Sequence, residues 1–430
     1  MIRNEAEVIS NSLWTATANP APDCPPLTGD AETEVAVIGG GYTGLSAALH
    51  LAEQGIGVTL LEAESPGWGA SGRNGGQVNP GLKEDPDAIE AKFGKEMGGR
   101  MIALSGGSPQ LTFDLIKRLG IECAATQKGW IQPVHTDSAE ARVRARVEQW
   151  KRRGAPLRML SREETAALLG TSAYRCAMLD ERGGNLHPLN YALGLAAAAL
   201  RVGAKIHGHS RVTKLEIGRD SHLLHTANGR LRARKVLIGT NGYTGLETGH
   251  LARTVVPIRS IQVATDILPE ELQKKILPQG HSASDSRRLL LYFRKDPDGR
   301  FIMGGRGAYS EKGTQIQLQA LRSVSERLYP ELKSVEWRYA WGGFVAMTRD
   351  HYPQLSRIAP GIMAALGYNG RGVGMATALG KVLADWASGM PEAELPFPVG
   401  APRPIPFHFL RKPAVSAVVA WSRFLDSWER

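Results

Sequence analysis

The run Gly39-Gly40-Gly41-Tyr42-Thr43-Gly44 restricts most tightly what this chain can fold into. It follows the apolar stretch Val35–Ile38 and opens a segment, Thr43 to Gln54, whose apolar residues recur at helical spacing until Gly55. A G-x-G-x-x-G turn between a buried strand and a helix uses each glycine differently. Gly39 makes the tight turn, Gly41 lets the backbone approach a pyrophosphate, and Gly44 lets the helix pack closely on the strand. Tyr42 and Thr43 then stand at a helix N-terminus, where free N–H groups and the dipole favour an anion. The next apolar run, Val58–Leu61, ends at Glu62 and Ala63, about twenty residues on, where a carboxylate accepts hydrogen bonds from a ribose diol and disfavours a 2′-phosphate. This is a βαβ opening, and it implies a parallel sheet.

A nicotinamide site needs one such fingerprint, but two further glycine-dense segments stand far away in sequence. The first runs Gly67-Trp68-Gly69-Ala70-Ser71-Gly72-Arg73-Asn74-Gly75-Gly76-Gln77. Its hydroxyl, guanidinium and exposed N–H groups suit a pyrophosphate and then a flat ring that needs close backbone approach. The second, Gly367-Tyr368-Asn369-Gly370-Arg371-Gly372-Val373-Gly374, opens the last core helix, Gly372 to Ala387. A helix N-terminus there would stabilise negative charge on the pyrimidine side of a reduced flavin. Three such segments in this order point to FAD rather than NAD.

Between them the periodicity alternates. Helical patterns fill Pro86 to Ala167, and a helix at Tyr191–Val202 precedes short strands around Lys205, Val212–Ile217, His222–Thr226 and Val236–Gly239. The runs Val255–Ile267, Arg288–Phe293, Arg300–Gly304 and Val335–Met347 alternate as antiparallel strands do, around the hairpin turn Asp296-Pro297-Asp298-Gly299. The expected fold class is α/β: a Rossmann-type FAD-binding domain interleaved with an antiparallel-sheet substrate domain. The expected division is an N-terminal arm over the surface (1–30), a discontinuous FAD-binding domain (31–85, 180–250 and 340–390), a substrate domain (86–179 and 251–339) and a tail (391–430).

Composition excludes several other classes. Of 430 residues 42% are hydrophobic, yet no apolar run approaches the roughly 20 residues that span a bilayer, and Met1–Ser10 lacks the pattern of a secretory signal, so the expected compartment is the cytoplasm. Cys24, Cys123 and Cys176 are widely spaced and read as free thiols, and no His/Cys/Asp/Glu cluster has metal-ligand spacing. The formal charge is +10, but the cluster Arg142–Arg153 includes Glu148 and reads as a solvated helix face rather than a nucleic-acid surface.

The segments Val37 to Ser46, Gly69 to Gln77, and Trp341-Gly342-Gly343 with Thr348 and Asp350 resemble the FAD-dependent family of D-amino-acid oxidase, glycine oxidase and sarcosine oxidase. The Arg-Asn-Gly-Gly-Gln ending resembles the gamma-glutamylputrescine branch most. The resemblance implies that Val212 meets the adenine through its backbone and that Thr240-Asn241-Gly242-Tyr243 closes the adenine side. It also implies oxidation of a small amine by hydride transfer to flavin N5, with O2 or another carrier as the final acceptor. Some members attach the flavin through a histidine in the segment matching Arg73-Asn74 or a cysteine near Gly343; neither nucleophile is present, so the FAD is expected to be non-covalent. The place of an oxygen-activating lysine in sarcosine oxidase is matched here by an apolar residue near Ile302.

Gln77, Tyr292 and Trp341 are the candidates for the substrate side of the flavin. Arg259 and Arg294 are candidates to hold a distal carboxylate, surface ion pairing being the plainer reading. His187, before Pro188 at a helix start, reads as a cap, and His351 has no required role. The tail, with Val415, Val418, Val419, Trp421, Phe424, Leu425 and Trp428 at mainly helical spacing, is expected to pack back on the protein. The oligomeric state is left open.

Overall fold

The computed structural model describes residues 11–428 apart from 246, 247 and 249. Two sheets organise it. The parallel core of the first runs, in spatial order, Ile362–Leu366, Gly229–Ile238, Gly29–Ile38, Val58–Leu61 and Lys205–His207. Gln354–Ala359 extends it antiparallel to Ile362–Leu366, and His222–His225 pairs antiparallel with Gly229–Ile238. The βαβ reading therefore holds, with the first strand longer than its apolar half. Parallel strands all end on one side, so Ile38, Leu61, Ile238 and Leu366 deliver Gly39, Glu62, Gly239 and Gly367 to one edge, the usual position of a ligand in such sheets.

The helix Tyr42–Glu53 packs between this sheet and the last core helix, Gly372–Ala387. Glycine makes that possible. A Cβ on Gly44 would lie 1.9 Å from the Gly39 carbonyl oxygen, and one on Gly380 2.4 Å from that of Thr43.

The second sheet runs Trp337–Met347, Val256–Ile267, Arg300–Arg306, Tyr292–Lys295, Ser282–Ser284, Trp130–Val134, Cys176–Asp180 and Leu157–Leu160. Its pairs are antiparallel except Ser282–Ser284 with Trp130–Val134. Trp337–Met347 belongs to this sheet, and the expected boundary at 340 falls inside it. Alternation gives the long strand Val256–Ile267 two faces. Ile261 and Val263 join a core with Leu318 and Leu321 of the helix Glu311–Leu328, while Ser260, Gln262 and Ala264 face the glycine-rich edge of the first sheet.

The basic cluster lies on the helix Asp137–Lys151 and just beyond it. Its buried stripe is Ala139, Val143, Val147 and Trp150, and its cations pair with Asp85, Asp87, Glu90 and Glu140. Among the described residues no helix is long and apolar enough to cross a membrane.

Both chain ends depart from expectation. Met1–Ser10 lie outside the described residues, but Leu13 and Trp14 of the arm are wholly buried rather than laid over the surface. The tail buries Leu395 and Phe397 in the core and then forms the helix Arg411–Trp428, along which Val415 and Val419 are half-buried while Val418 and Trp421, like Phe407, Phe409 and Leu410 before it, stay exposed, so the expected packing is only partial in the described part. Side chains from Arg423 onward, with Phe424, Leu425 and Trp428, lie outside the description.

Candidate flavin and substrate site

The structure brings the three glycine segments together. Gly67 N–H donates to the Gly40 carbonyl (2.9 Å), Tyr42 N–H to Ser71 Oγ (3.0 Å), and Thr43 Oγ1 meets the Tyr368 hydroxyl (2.6 Å). Asn241 Oδ1 accepts from Gly367 N–H (2.9 Å), which joins the expected adenine-side turn to the third segment. Val212 is buried nearby in the core beneath Ile38 and Leu61, and Thr240 bonds Thr244. Glu62 receives the Gly40 and Glu64 N–H groups, and burial raises its carboxyl pKa.

These residues fit a dinucleotide. Among the described residues the N–H groups of Gly41, Thr43 and Gly75 donate to no protein acceptor, although they sit where the strands converge. Buried Gln262 Oε1 also lacks a partner, and a Cβ on Gly370 or Gly372 would meet open space. The chain thus presents unspent donors in a glycine-lined cradle, as a phosphate-bearing ligand requires.

The segment after Gly72 is held from several sides. Asn74 Nδ2 donates to the Ala70 and Ser71 carbonyls while its Oδ1 takes the Gly76 N–H. Arg73 donates to the Trp68 carbonyl and stacks on the Trp68 ring at 4.4 Å. Trp341 Nε1 and Gln262 Nε2 both donate to the Arg73 carbonyl, at 3.1 and 2.6 Å. A Cβ on Gly343 would lie 3.2 Å from Arg73 Cβ. Of these holders, Gln262 had no signal in sequence beyond its place in an alternating strand.

Tyr292 lies on the face turned toward the glycine loop. Its ring lies 3.0 Å from where a Gly75 Cβ would be, and its hydroxyl shares a 2.7 Å bond with Ser260 Oγ. Burial pushes its pKa up to about 12, so it stays a neutral phenol. Gln77 is placed differently from a free substrate ligand: its amide donates to the Ala283 carbonyl, and its Oε1 accepts from Ser284. It ties the glycine loop to the second sheet.

The two arginines part company, and neither is a surface ion-pair residue; among the described residues neither has an ion pair. Arg294 is on the site face. Its Nη1 donates to the Leu186 and Gly76 carbonyls (2.7 and 3.3 Å) and its Nε to that of Lys295, so it braces backbone, with its pKa drawn down to about 10 by burial. Arg259 shares the parity of Ile261, packs on Phe344 and bonds Thr314, on the far side of the sheet. Arg306, opposite Ser260 in register, has the site-face parity that Arg259 lacks. It belongs to a cationic group with Lys83 and Arg371: the Lys83 ammonium is held below its ordinary pKa by desolvation and then by those two guanidiniums, Glu84 opposing.

His187 is a cap. Its Nδ1 accepts the Asn190 N–H (3.1 Å), so the neutral ring carries its proton on Nε2, which donates to Thr17 Oγ1 (3.0 Å). His351 pairs with Glu84 away from the loop. Among the described residues no group of His, Cys, Asp or Glu is arranged to hold a metal ion.

Fold and cradle define a flavin-dependent oxidoreductase, and the comparisons with known proteins agree. The profile of the DAO family, described as FAD dependent oxidoreductase, matches residues 34–386, and the chain belongs to that family. It is 36% identical over 381 residues to a probable oxidoreductase OrdL of Rhizobium meliloti (strain 1021), covering 88% of each chain. It is 31% identical over 408 residues to the gamma-glutamylputrescine oxidoreductase of Escherichia coli (strain K12), covering 93% of this chain and 95% of that one. Among solved structures, glycine oxidase from Geobacillus kaustophilus superposes with a TM-score of 0.70 at 21% identity, over 83% of this chain and 95% of that one.

Proposed function

We propose that the protein oxidises a small amine that carries a carboxylate, such as a gamma-glutamylputrescine-like compound or an N-substituted amino acid. Bound FAD supplies a two-electron acceptor. The neutral amine loses a hydride from the carbon beside nitrogen, and the resulting imine adds water to give an aldehyde or keto acid and a free amine or ammonia. The chain's share is positioning and exclusion of water. Tyr292 and Ser260 offer hydroxyls beside Gly75 without becoming charged, Gln77 and Trp341 hold the loop, and no protein base is needed.

The observation that carries the carboxylate assignment is the group Lys83, Arg306 and Arg371 at the end of the face bearing Tyr292 and Ser260. Both guanidiniums act electrostatically on the Lys83 ammonium, and such cations favour a bound carboxylate. The relatives named for gamma-glutamylputrescine and glycine act on compounds of this kind. An anaerobic screen in which amines bleach the flavin tests the reading: carboxylate-bearing amines should reduce it, and Arg306→Ala should raise KM for them far more than it lowers kcat. Reduction only by amines without a carboxylate would overturn it.

A second reading, a dehydrogenase passing electrons to a quinone or carrier protein, is favoured by Ile302. It lies buried among Leu13, Trp14, Ala264, Tyr339 and Trp341. A dimethylglycine dehydrogenase is among the relatives. Stopped-flow mixing of reduced protein with air separates the two: turnover-rate reoxidation supports the oxidase, and slow reoxidation the dehydrogenase.

A further inference from the structure

We infer that Trp14, on the N-terminal arm, is a positioning residue of the flavin site, whose indole N–H holds the Asn74 carbonyl and so aims the Gly75 N–H as the loop's free donor to the cofactor. The inference rests on FAD binding alone and stands whatever the amine.

Two successive carbonyls of the loop are each gripped by an indole. Trp341 Nε1 donates to Arg73 (3.1 Å) and Trp14 Nε1 to Asn74 (2.9 Å), and the two rings meet edge to face at 5.7 Å. A trans peptide is planar, with its C=O and N–H antiparallel. Holding the Asn74 carbonyl toward the arm therefore turns the Gly75 N–H to the opposite side. The neighbouring peptides have nothing left to offer. Asn74 N–H donates to the Ala70 carbonyl (3.1 Å) and Gly76 N–H to Asn74 Oδ1 (2.8 Å). Of these three N–H groups, that of Gly75 alone lacks a protein acceptor among the described residues, and Tyr292 walls its Cα side.

The arm is itself anchored, so Trp14 has little freedom. Asn11 bridges Ala340 and donates to the Arg338 carbonyl, while Asn19 donates its N–H to Asn190 Oδ1 and its side-chain amide to the Glu122 carbonyl. Arg294 lies 5.3 Å over the Trp14 ring and His187 4.9 Å from it. Volume alone would be met by any large apolar side chain. The indole N–H is what reaches the loop.

Trp14→Phe keeps a ring and removes the donor. The expected result is a folded protein whose Kd for FAD rises about tenfold, the scale of one lost hydrogen bond. Its bound flavin should show a displaced visible spectrum and midpoint potential. Leu13→Val, which trims the same apolar cluster without touching a donor, should lower thermal stability and leave spectrum and potential unchanged. A Trp14→Phe protein with wild-type Kd, spectrum and potential overturns the inference, as does a Leu13→Val protein with the same spectral displacement. Should Trp14→Phe not fold, hydrogen exchange on the wild-type chain decides: FAD must slow exchange at the Gly75 amide, and equal rates with and without FAD overturn the proposal.

Discussion

Residues 11–19 and residues 405–422 both carry aromatic side chains on helix, a single turn in the first and the start of Arg411–Trp428 in the second, yet Trp14 is 0% exposed and Trp421 is 61% exposed. Apolar content does not separate them; polar satisfaction does. Four polar side chains or N–H groups of the arm find partners far away in the chain, Asn11 at Arg338, Trp14 at Asn74, Thr17 at His187 and Asn19 at Asn190, while the buried Ser12 hydroxyl has none among the described residues. The tail meets many of its needs locally, Ser416 on the Lys412 carbonyl and Arg411 on that of His408, and reaches the body through Ile405 to Arg253 and His408 to Val255. A segment becomes part of a core when distant groups complete its hydrogen bonds as well as its contacts.

The sharpest way to break this contrast is to delete residues 1–19. That strips Trp341, Ile302 and Leu189 of their cover and leaves the Asn74 carbonyl without its donor. The expected product is poorly soluble and colourless. A truncated protein that purifies with stoichiometric FAD would make the arm a dispensable surface feature after all.

Next in size is Gly41→Val, which probes the cradle without touching either end. A Cβ there meets Ser71 Oγ at 2.9 Å and intrudes on the side meant for the pyrophosphate, so soluble protein lacking flavin is expected. Absorbance after gel filtration reads the result.

Acid should loosen the arm by a few kcal/mol. Burial foremost, then Arg294, draws the His187 pKa from 6.5 to about 4. In the unfolded chain the ring takes up its proton near its ordinary pKa, whereas the folded chain resists. Stability from this group is thus complete above about pH 6.5 and is lost as pH falls toward 4, by at most about 3 kcal/mol at about 1.4 kcal/mol per unit. Protonation would also take Nδ1 from the Asn190 N–H. Urea unfolding at pH 7 and pH 5 measures the loss, and His187→Asn, which keeps a capping acceptor, should flatten it. A pH dependence as steep as wild type in that variant would place the effect elsewhere.

Smallest is removal of residues 411–430. Flavin content should not change, and stability should move by no more than about 0.5 kcal/mol, as for surface changes generally. A drop of several degrees in Tm would mean that the tail covers the body in solution.

What was legible in sequence is what local spacing encodes. Gly39–Gly44, Glu62 and the loop through Gln77 announced themselves because a tight turn, a close approach and a ribose carboxylate each demand a residue type at a fixed offset. The sorting of Arg259 from Arg294 and Arg306 was not legible, since parity along a strand acquires meaning only once its neighbours and the buried face are known. Gln77 was read as a pocket residue because its neighbours are; its engagement with Ala283 and Ser284 depends on another sheet. Trp14 left no trace, its partners lying far along the chain, from Asn74, 60 residues on, to Trp341. In the tail, helical spacing foretold the helix Arg411–Trp428 but carried no information about what lies against it.

The pairing of Asn11 with Arg338, 327 residues apart, also sets an order of events. The first described part of the chain cannot take its final place until the last strand of the second sheet, Trp337–Met347, has emerged. Loop closure over such a span is slow and comes late. The glycine turn and its helix form early from local contacts, but the grip on Arg73 and Asn74 waits for Trp341 and the returning arm. Ribosome-bound chains short of Trp341 should therefore hold FAD poorly even with the whole fingerprint exposed, and the arm's docking is the step that seals the newborn protein.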